Sequence, residues 1–570
     1  MVKAAQHWQI ASTASDNHLK LFSHLSRPLA QILFNRGFTD PDKAERFIAN
    51  EHSDPNPFLM KGMHQAVTRL RQAIRKGETI AIYGDFDADG VTSTALLVET
   101  LRALGGDARP YIPHRVDEGY GLHADALDEL AHQNVKLILT VDCGIRATQE
   151  VQHAAEQGMD VIITDHHSPG TQPPPAIAIL NPKQPDCRYP FQDLAGVGVA
   201  FKLAQALLRT HKQVPTTAGP VNLAEEDLLD IVALGTVADM VSLIEENRSL
   251  VTRGLAKINQ GQRPGLAALV RRSGLQLGQV STSDIGFGLG PRINAAGRLS
   301  HANTAYQLLL AKYPGEADKL AEELDALNQR RRHVTTETQT LAREQALMDD
   351  QDVPLLFAAS PDFLEGVVGL AAGRLCEEFY RPAVVVSVGD TVSRGSARSI
   401  EEFHITEALD QCAELLLRHG GHAAAAGFTV ENQNLPLLAH KLKTLAAEKL
   451  SDKTLEPTLS IDIEVGLGEL DRQLYDALAQ LEPFGYANPE PILMTRRLRV
   501  VSSRAVGANL SHLKLYLSDG RVKQDAIAFR QGHWSDHLPS FIDVAYHFDL
   551  NRWNGREQLQ LNVIDLRPSQ

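Results

Sequence analysis

The chain has 570 residues, 43% of them hydrophobic and 22% charged, which excludes a disordered or fibrous protein and, at about 100–200 residues per domain, implies three or four domains. No apolar stretch approaches the roughly 18 residues of a membrane span, so no membrane partner is expected. The formal net charge of −14 excludes a generally basic nucleic-acid coat, but not a local basic groove.

The N-terminus, Met1-Val2-Lys3-Ala4-Ala5-Gln6-His7-Trp8, lacks the apolar core of a secretory signal, which makes the cytoplasm the expected location. Cys143, Cys187, Cys376 and Cys412 form no Cys-x-x-Cys pair, against structural zinc and against a disulfide framework. Residues 1–59 read as an N-terminal segment. Across 60–312, short β-rich runs alternate with helical patterns at 92–104 and 124–133, the signature of βαβ units and a parallel sheet. Ligands of such a sheet sit at the strand C-terminal ends. Residues 313–352 are charged, rich in Ala, Glu, Leu, Gln and Arg, and nearly free of Gly and Pro, which predicts a long connecting helix. A second α/β domain follows at 353–455, with strands at 355–357 and 383–388 flanking a helix at 367–379. It contains Gly420-Gly421-His422-Ala423-Ala424-Ala425-Ala426-Gly427, whose four alanines are expected to form a closely packed helix. The last part, 456–570, is richer in aromatics and alternating strands, such as 514–517, 526–529 and 544–548, and predicts an OB-like β-barrel. Between Arg496 and Arg530 it carries eight Lys/Arg against Asp519 and Asp525. Its Tyr516, Phe529, Trp534 and Trp553 read as core residues or as platforms for stacked bases.

Three apolar runs end in metal-compatible side chains. Residues 79–84 open into Asp85-Phe86-Asp87-Ala88-Asp89-Gly90, residues 137–141 into Asp142, and residues 161–164 into Asp165-His166-His167. Asp239 closes Gly235-Thr236-Val237-Ala238-Asp239. Alone, the Asp85–Asp89 run reads equally well as the polar cap of the next helix. Repetition of the pattern makes convergence the economical reading. Carboxylates about 4 Å apart repel by roughly 4 kcal/mol per pair at an effective dielectric near 20, so a cation must compensate. Mixed Asp oxygen and His nitrogen favours Mn²⁺, with Mg²⁺ an alternative, and a pair of ions sharing a carboxylate suits phosphoryl chemistry.

These four motifs resemble those of the DHH phosphoesterase superfamily. Gly290-Pro291-Arg292-Ile293-Asn294-Ala295-Ala296-Gly297-Arg298, the Gly420–Gly427 run and Glu482-Pro483-Phe484-Gly485-Tyr486-Ala487-Asn488-Pro489-Glu490-Pro491 resemble its single-stranded-DNA exonuclease branch, and the likeness covers nearly the whole chain. It implies a multidomain α/β fold: a parallel-sheet DHH core, a connecting helix, a DHH-associated domain and an OB-like barrel. It implies a 5′→3′ exonuclease that releases 5′-mononucleotides in recombination and repair, with single-strand-binding protein and a RecQ-type helicase as partners. By motif position, Asp87, Asp142, His166 and Asp239 would hold one ion, with Asp142 bridging to a second held partly by Asp85. His167 would contact phosphate. Asp165 would orient its neighbours, and Asp89 would be either a ligand or a support. Small-molecule members carry a His where this chain has Ala81, which leaves the second ion one protein ligand fewer.

For phosphate, Ser396 and Arg398 are candidates because small residues admit backbone N–H groups and Arg supplies a fork of donors; Arg115 reads as a phosphate contact or a solvated surface Arg, and Gly421-His422 as a nucleotide contact or a packed turn. The resemblance implies a pocket for the 5′-terminal phosphate and adds Arg292, Asn294 and Arg298 to these. Two other readings stay open. One is a phosphodiesterase of short oligonucleotides or cyclic dinucleotides, and the other is a DNA-binding scaffold without chemistry.

Overall fold

Parallel strands buried on both faces read as unbroken apolar runs, and the runs that precede the acidic motifs are such strands. A computed structural model describes residues 6–51, 53–217, 219–348, 353–553 and 556–569. After β1 (His7–Ile10), the strands β2 (Thr79–Gly84), β3 (Asp107–Tyr111), β4 (Leu137–Val141), β5 (Asp160–Thr164) and β6 (Ala178–Leu180) form an all-parallel sheet in the order β3-β2-β4-β5-β6. The chain leaves β2 toward β3 on one side, while β4 flanks it on the other. The crevice beside the C-terminal ends of β2 and β4 is therefore the topological switch point, where ligands of open α/β sheets bind. Helices Ala88–Ala103, Gly196–Gln213 and Leu229–Ala238 pack over this sheet in the largest core.

The connecting helix spans Pro314–Ala346. Its Ala317, Ala321 and Leu324 enter the first core, and Ala342 and Ala346 enter a second one. One rigid element thus spaces the two lobes; residues 349–352 of the expected stretch lie outside the described residues. The second lobe is a mixed sheet, β10-β11-β9-β8-β7, built from β7 (Leu356–Ser360), β8 (Ala383–Val388), β9 (Val392–Arg398), β10 (Leu416–His422) and β11 (Ala425–Glu431), covered by helix Glu365–Phe379. The alanine run is not the helix its composition suggests. Ala425 and Ala426 lie in β11, which is hydrogen-bonded on both sides, to β10 and to β9. Two full ladders outweigh the few tenths of a kcal/mol per residue by which Ala favours helix.

After β12 (Thr458–Ile461) and β13 (Ile463–Glu464), the last lobe closes β14 (Leu493–Val506), β15 (His512–Ser518), β16 (Lys523–Ala528), β17 (Phe541–Trp553) and β18 (Arg556–Pro568) into a five-stranded barrel. The β14–β17 pairing completes the ring, and β16 and β18 run parallel, the OB arrangement. The N-terminal segment joins this lobe. β1 pairs in parallel with β12, Trp8 Nε1 donates to Asp565 at 2.8 Å, and Phe22, Leu29, Ile32 and Leu33 share the barrel's core. Among the described residues no helix is long and apolar enough to cross a membrane.

Candidate active site

Asp85, Asp87 and Asp89 follow β2, Asp142 follows β4, and Asp165, His166 and His167 follow β5, so parallel register brings three sequence-distant segments to one edge. Asp239 enters from the end of helix Leu229–Ala238. His166 Nε2 lies 3.2 Å from Asp142 Oδ1, 3.6 Å from Asp239 Oδ2 and 3.9 Å from Asp89 Oδ2. One ligand atom each from Asp85, Asp87 and Asp142 also lies within 4.8 Å of the others. Asp142 therefore belongs to both groups, the geometry of a bridging carboxylate.

Backbone geometry is specialised to allow this. Asp142 has φ 60°, the left-handed region that L-residues seldom adopt, which turns its side chain back over the strand end. Gly196, which starts the next helix, has no side chain to obstruct it: a Cβ there would lie 2.8 Å from Asp142 Cβ and 2.8 Å from Asp89 Oδ2.

The cluster fits divalent metal. Asp85 Oδ1, Asp142 Oδ1, His166 Nε2 and Asp239 Oδ2 are buried without a hydrogen-bond partner, a set of donor atoms for which a cation is the missing partner. Burial and then mutual repulsion raise the pKa of Asp85 and Asp142, push Asp239 up to about 9 and Asp89 up to about 7. Burial and then the charge of His167 push His166 down to about 3, leaving the neutral imidazole that metal coordination requires.

Two carboxylates also hold backbone beside the cluster, and Asp89 in addition brings an oxygen within 4.8 Å of ligand atoms of His166 and Asp239. Asp89 accepts from Gly196 N at 2.6 Å and Val197 N at 2.7 Å, anchoring the positive end of a helix beside the cluster. Asp165 accepts from the backbone N–H groups of Ile145, His166 and His167, and its Oδ1 lies 2.8 Å from His167 Nδ1. With Nδ1 so engaged, His167 turns Nε2 away from Asp165. Burial disfavours the imidazolium, but the hydrogen bond and charge of Asp165 outweigh it and raise the pKa of His167. Tyr120, which the sequence did not single out, lies with its hydroxyl 3.3 Å from His167 Nδ1 and donates to the Asp142 carbonyl at 3.1 Å. Ala81 is buried in β2 among Tyr83, Leu127, Ile138 and Ile163, so apolar packing occupies the position of the absent imidazole.

A cleft of about 580 Å³ between the lobes is lined by Phe86, Arg115, Arg298, Ser396 and Arg398 among others. Arg115 stacks 4.5 Å over the Phe86 ring, Arg298 Nη1 donates to the Gly366 carbonyl, and Arg398 Nη1 donates to Ser396 Oγ at 3.0 Å. No ion pair to a carboxylate is found for these three arginines among the described residues. Burial and the neighbouring guanidiniums of Arg115, Arg331 and Arg398 push Arg298 down to about 9.

Other candidates lie elsewhere. Arg292 is held by Asp325 at 2.9 Å and by the Gly288 carbonyl rather than lining the cleft, and Asn294 accepts from Ala88 N, bracing the opening motif. Gly421 and His422 are exposed on edge strand β10, where Arg418 and His419 line the cleft instead. Two arginines escaped the sequence reading. Arg331 donates to Asn328 but has a buried Nε without a partner, and Arg374 donates to Thr336 and Gln339, with no ion pair for either among the described residues. The Arg330-Arg331-Arg332 run was the available signal. On the barrel, Phe529 is exposed, Tyr516 and Trp534 are half-buried, and the side chain of Trp553 lies outside the described residues.

Family models match residues 79–236 (DHH family, N-terminal domain), 352–448 (DHHA1 domain) and 461–565 (RecJ OB domain). The single-stranded-DNA-specific exonuclease RecJ of Salmonella typhimurium is 38% identical over 99% of this chain and 100% of its own length. The chain belongs to the RecJ family. RecJ of Bacillus subtilis is 37% identical over 100% of this chain and 72% of its own. Thermus thermophilus RecJ, solved in complex with Mn²⁺, superposes with a TM-score of 0.84 at 31% identity, covering 99% of this chain and 80% of that one. The same RecJ has been solved with Mg²⁺, at a TM-score of 0.78. The unpartnered donor set is thus found in a family whose members hold these ions.

Proposed function

We propose that this chain is a metal-dependent, single-stranded-DNA-specific 5′→3′ exonuclease that releases 5′-mononucleotides. The observation that carries the reading is a charge opposition in a RecJ-family chain: among the described residues, donor atoms without a hydrogen-bond partner lie at the sheet edge, and guanidiniums without an ion pair line the cleft between the lobes. Asp85, Asp87, Asp142, His166 and Asp239 would hold Mn²⁺ or Mg²⁺, two ions sharing Asp142. Bound there, the ions supply an activated water and neutralise charge at the phosphoryl group.

The chain's own residues do the rest. Asp165 holds Nδ1 of His167, so Nε2 is free to donate a hydrogen bond or a proton to a phosphate or leaving oxygen, and the raised pKa of His167 suits that donor role. Arg115, Arg298, Ser396 and Arg398 would clasp the 5′-terminal phosphate. That clasp sets which phosphodiester meets the metal centre and so limits each cut to one nucleotide. Arg331 and Arg374 would meet the following backbone, and the barrel, with Arg496, Arg497, Arg499 and Arg504 exposed on β14, would grip the strand upstream. Work in recombination and repair beside single-strand-binding protein and a RecQ-type helicase follows from the family resemblance.

The test is one gel with end-labelled single strands of both polarities, a duplex and an RNA, each with Mn²⁺, Mg²⁺ or chelator. Loss of mononucleotides from the 5′ end of single-stranded DNA, with metal only, is expected. Equal attack from the 3′ end or turnover in chelator would refute the reading.

A further inference from the structure

Arg248 lies in helix Glu245–Gln260, is 2% exposed, and makes no ion pair among the described residues. Its guanidinium donates instead to three carbonyls of the barrel lobe, those of Leu481 at 2.8 Å, Gln480 at 3.2 Å and Pro483 at 3.5 Å, and it stacks 4.1 Å over the ring of Phe47. The gripped stretch, 480–491, leads from helix Arg472–Ala479 toward β14. Asn488 Nδ2 folds it on itself by donating to the Leu481 and Pro483 carbonyls, and Arg36 donates to Asn488 Oδ1.

This same loop reaches the chain beside the metal cluster. Leu243 N–H donates to the Tyr486 carbonyl at 2.8 Å, and Thr282 Oγ1 donates to the Phe484 carbonyl at 2.7 Å. A Cβ on Gly485 would lie 2.5 Å from Leu243 Cδ1, so the loop packs directly on that side chain. Leu243 stands four residues beyond Asp239, inside the irregular stretch 239–244 that joins helix Leu229–Ala238 to helix Glu245–Gln260. Met240 in that stretch is 72% exposed with φ 60°, while Val241 and Ile244 pack against the core of their own lobe and Leu243 is the residue the loop covers. Asp239, whose Oδ2 is buried and without a hydrogen-bond partner among the described residues, caps helix Leu229–Ala238 at the start of this stretch.

We infer that loop 480–491 of the barrel lobe is a positioning element of the metal centre: by clamping Arg248 and Leu243 it fixes the stretch that aims Asp239. The barrel lobe then serves chemistry as well as strand capture, and Arg248 is a positioning residue, remote from substrate. The inference rests on Asp239 as a metal ligand.

The test uses full-length Arg248→Ala and Gly485→Val. The second leaves the guanidinium and its carbonyls intact while displacing Leu243, so it carries the test even where the first does not fold. Mn²⁺ affinity is read from the electron paramagnetic resonance of free Mn²⁺, and turnover from a 5′-phosphorylated dinucleotide, too short to reach the barrel. Expected are a Kd for Mn²⁺ weakened about 10–100-fold, as for other groups that orient ligands, a matching fall in kcat on the dinucleotide, and little change in KM. Parental Mn²⁺ affinity and dinucleotide turnover in both variants, with only long-strand binding lost, would overturn the inference. Asp239→Ala separates the two assignments. Unchanged Mn²⁺ affinity in that variant sinks the ligand assignment and the inference together, whereas a weakened Asp239→Ala beside unaffected Arg248→Ala and Gly485→Val sinks the inference alone.

Discussion

The two ends of the interlobe site are opposites in charge and alike in incompleteness. At the sheet edge, Asp142, His166 and Asp239 present buried atoms without a hydrogen-bond partner; in the cleft, Arg115, Arg298 and Arg398 form no ion pair with a carboxylate among the described residues. Other buried charges are met by protein groups: Lys202 pairs with Glu246 at 2.5 Å, Arg263 with Asp230 and Glu99, and Arg248 donates to three backbone carbonyls. A fold able to neutralise its interior charges, yet leaving two opposite clusters bare, holds them for ligands that bring the missing charge.

The comparison is broken most sharply at the metal end. Asp142→Ala or His166→Ala should lower kcat by about 10³-fold or more, because several kcal/mol of charge stabilisation depend on the ions, while binding of single strands, measured by fluorescence anisotropy, stays within a few fold. Near-full Mn²⁺-dependent turnover in either variant would place the chemistry elsewhere. At the other end, Arg398→Ala removes one charged hydrogen-bond donor, an effect of about 1.5–3 kcal/mol. KM for 5′-phosphorylated strands should rise roughly 10–100-fold, with a much smaller change for strands ending in a 5′-hydroxyl. Equal loss on both would mean that the pocket does not read the terminal phosphate.

The smallest effect is on stability. Asp89 and Asp239, held at about 7 and about 9 against 3.8 in the free carboxyl, retain protons in the folded chain that the unfolded chain has already released. Their contribution is complete at low pH and is lost as pH rises through those values. His166, held down at about 3, acts with the opposite sign, but only below about 6.5. The chelated protein should therefore melt at a lower temperature at pH 9 than at pH 7, and saturating Mn²⁺ should flatten that slope. A chelated protein equally stable at both would argue against buried like charges at the sheet edge.

What the sequence made legible was chemistry carried by one element's end. Buried parallel strands have to be apolar, so Asp85, Asp142 and Asp165-His166-His167 stood out where each run stopped, and β8 was expected at the residues where it lies. Pairings between distant residues were not legible. Arg292 sits in a motif that suggested phosphate, yet Asp325, two helices later, takes its guanidinium. The alanines of β11 misled because helix propensity is local while the two flanking ladders are not. The hydrogen bonds of Arg248 to the barrel lobe join residues more than 230 positions apart, beyond the reach of any pattern.

The pairing of β1 with β12 carries a consequence for biosynthesis. Ile10 and Ile461 are partners separated by 451 positions. At about 5–20 residues per second, the first strand waits roughly 20–90 s on the ribosome before its mate exists. Trp8 and the helices behind it expose apolar surface throughout that interval. β1 can thus pair only once the barrel lobe has begun to be made, and a stall before residue 461 would leave its pairing edge uncovered.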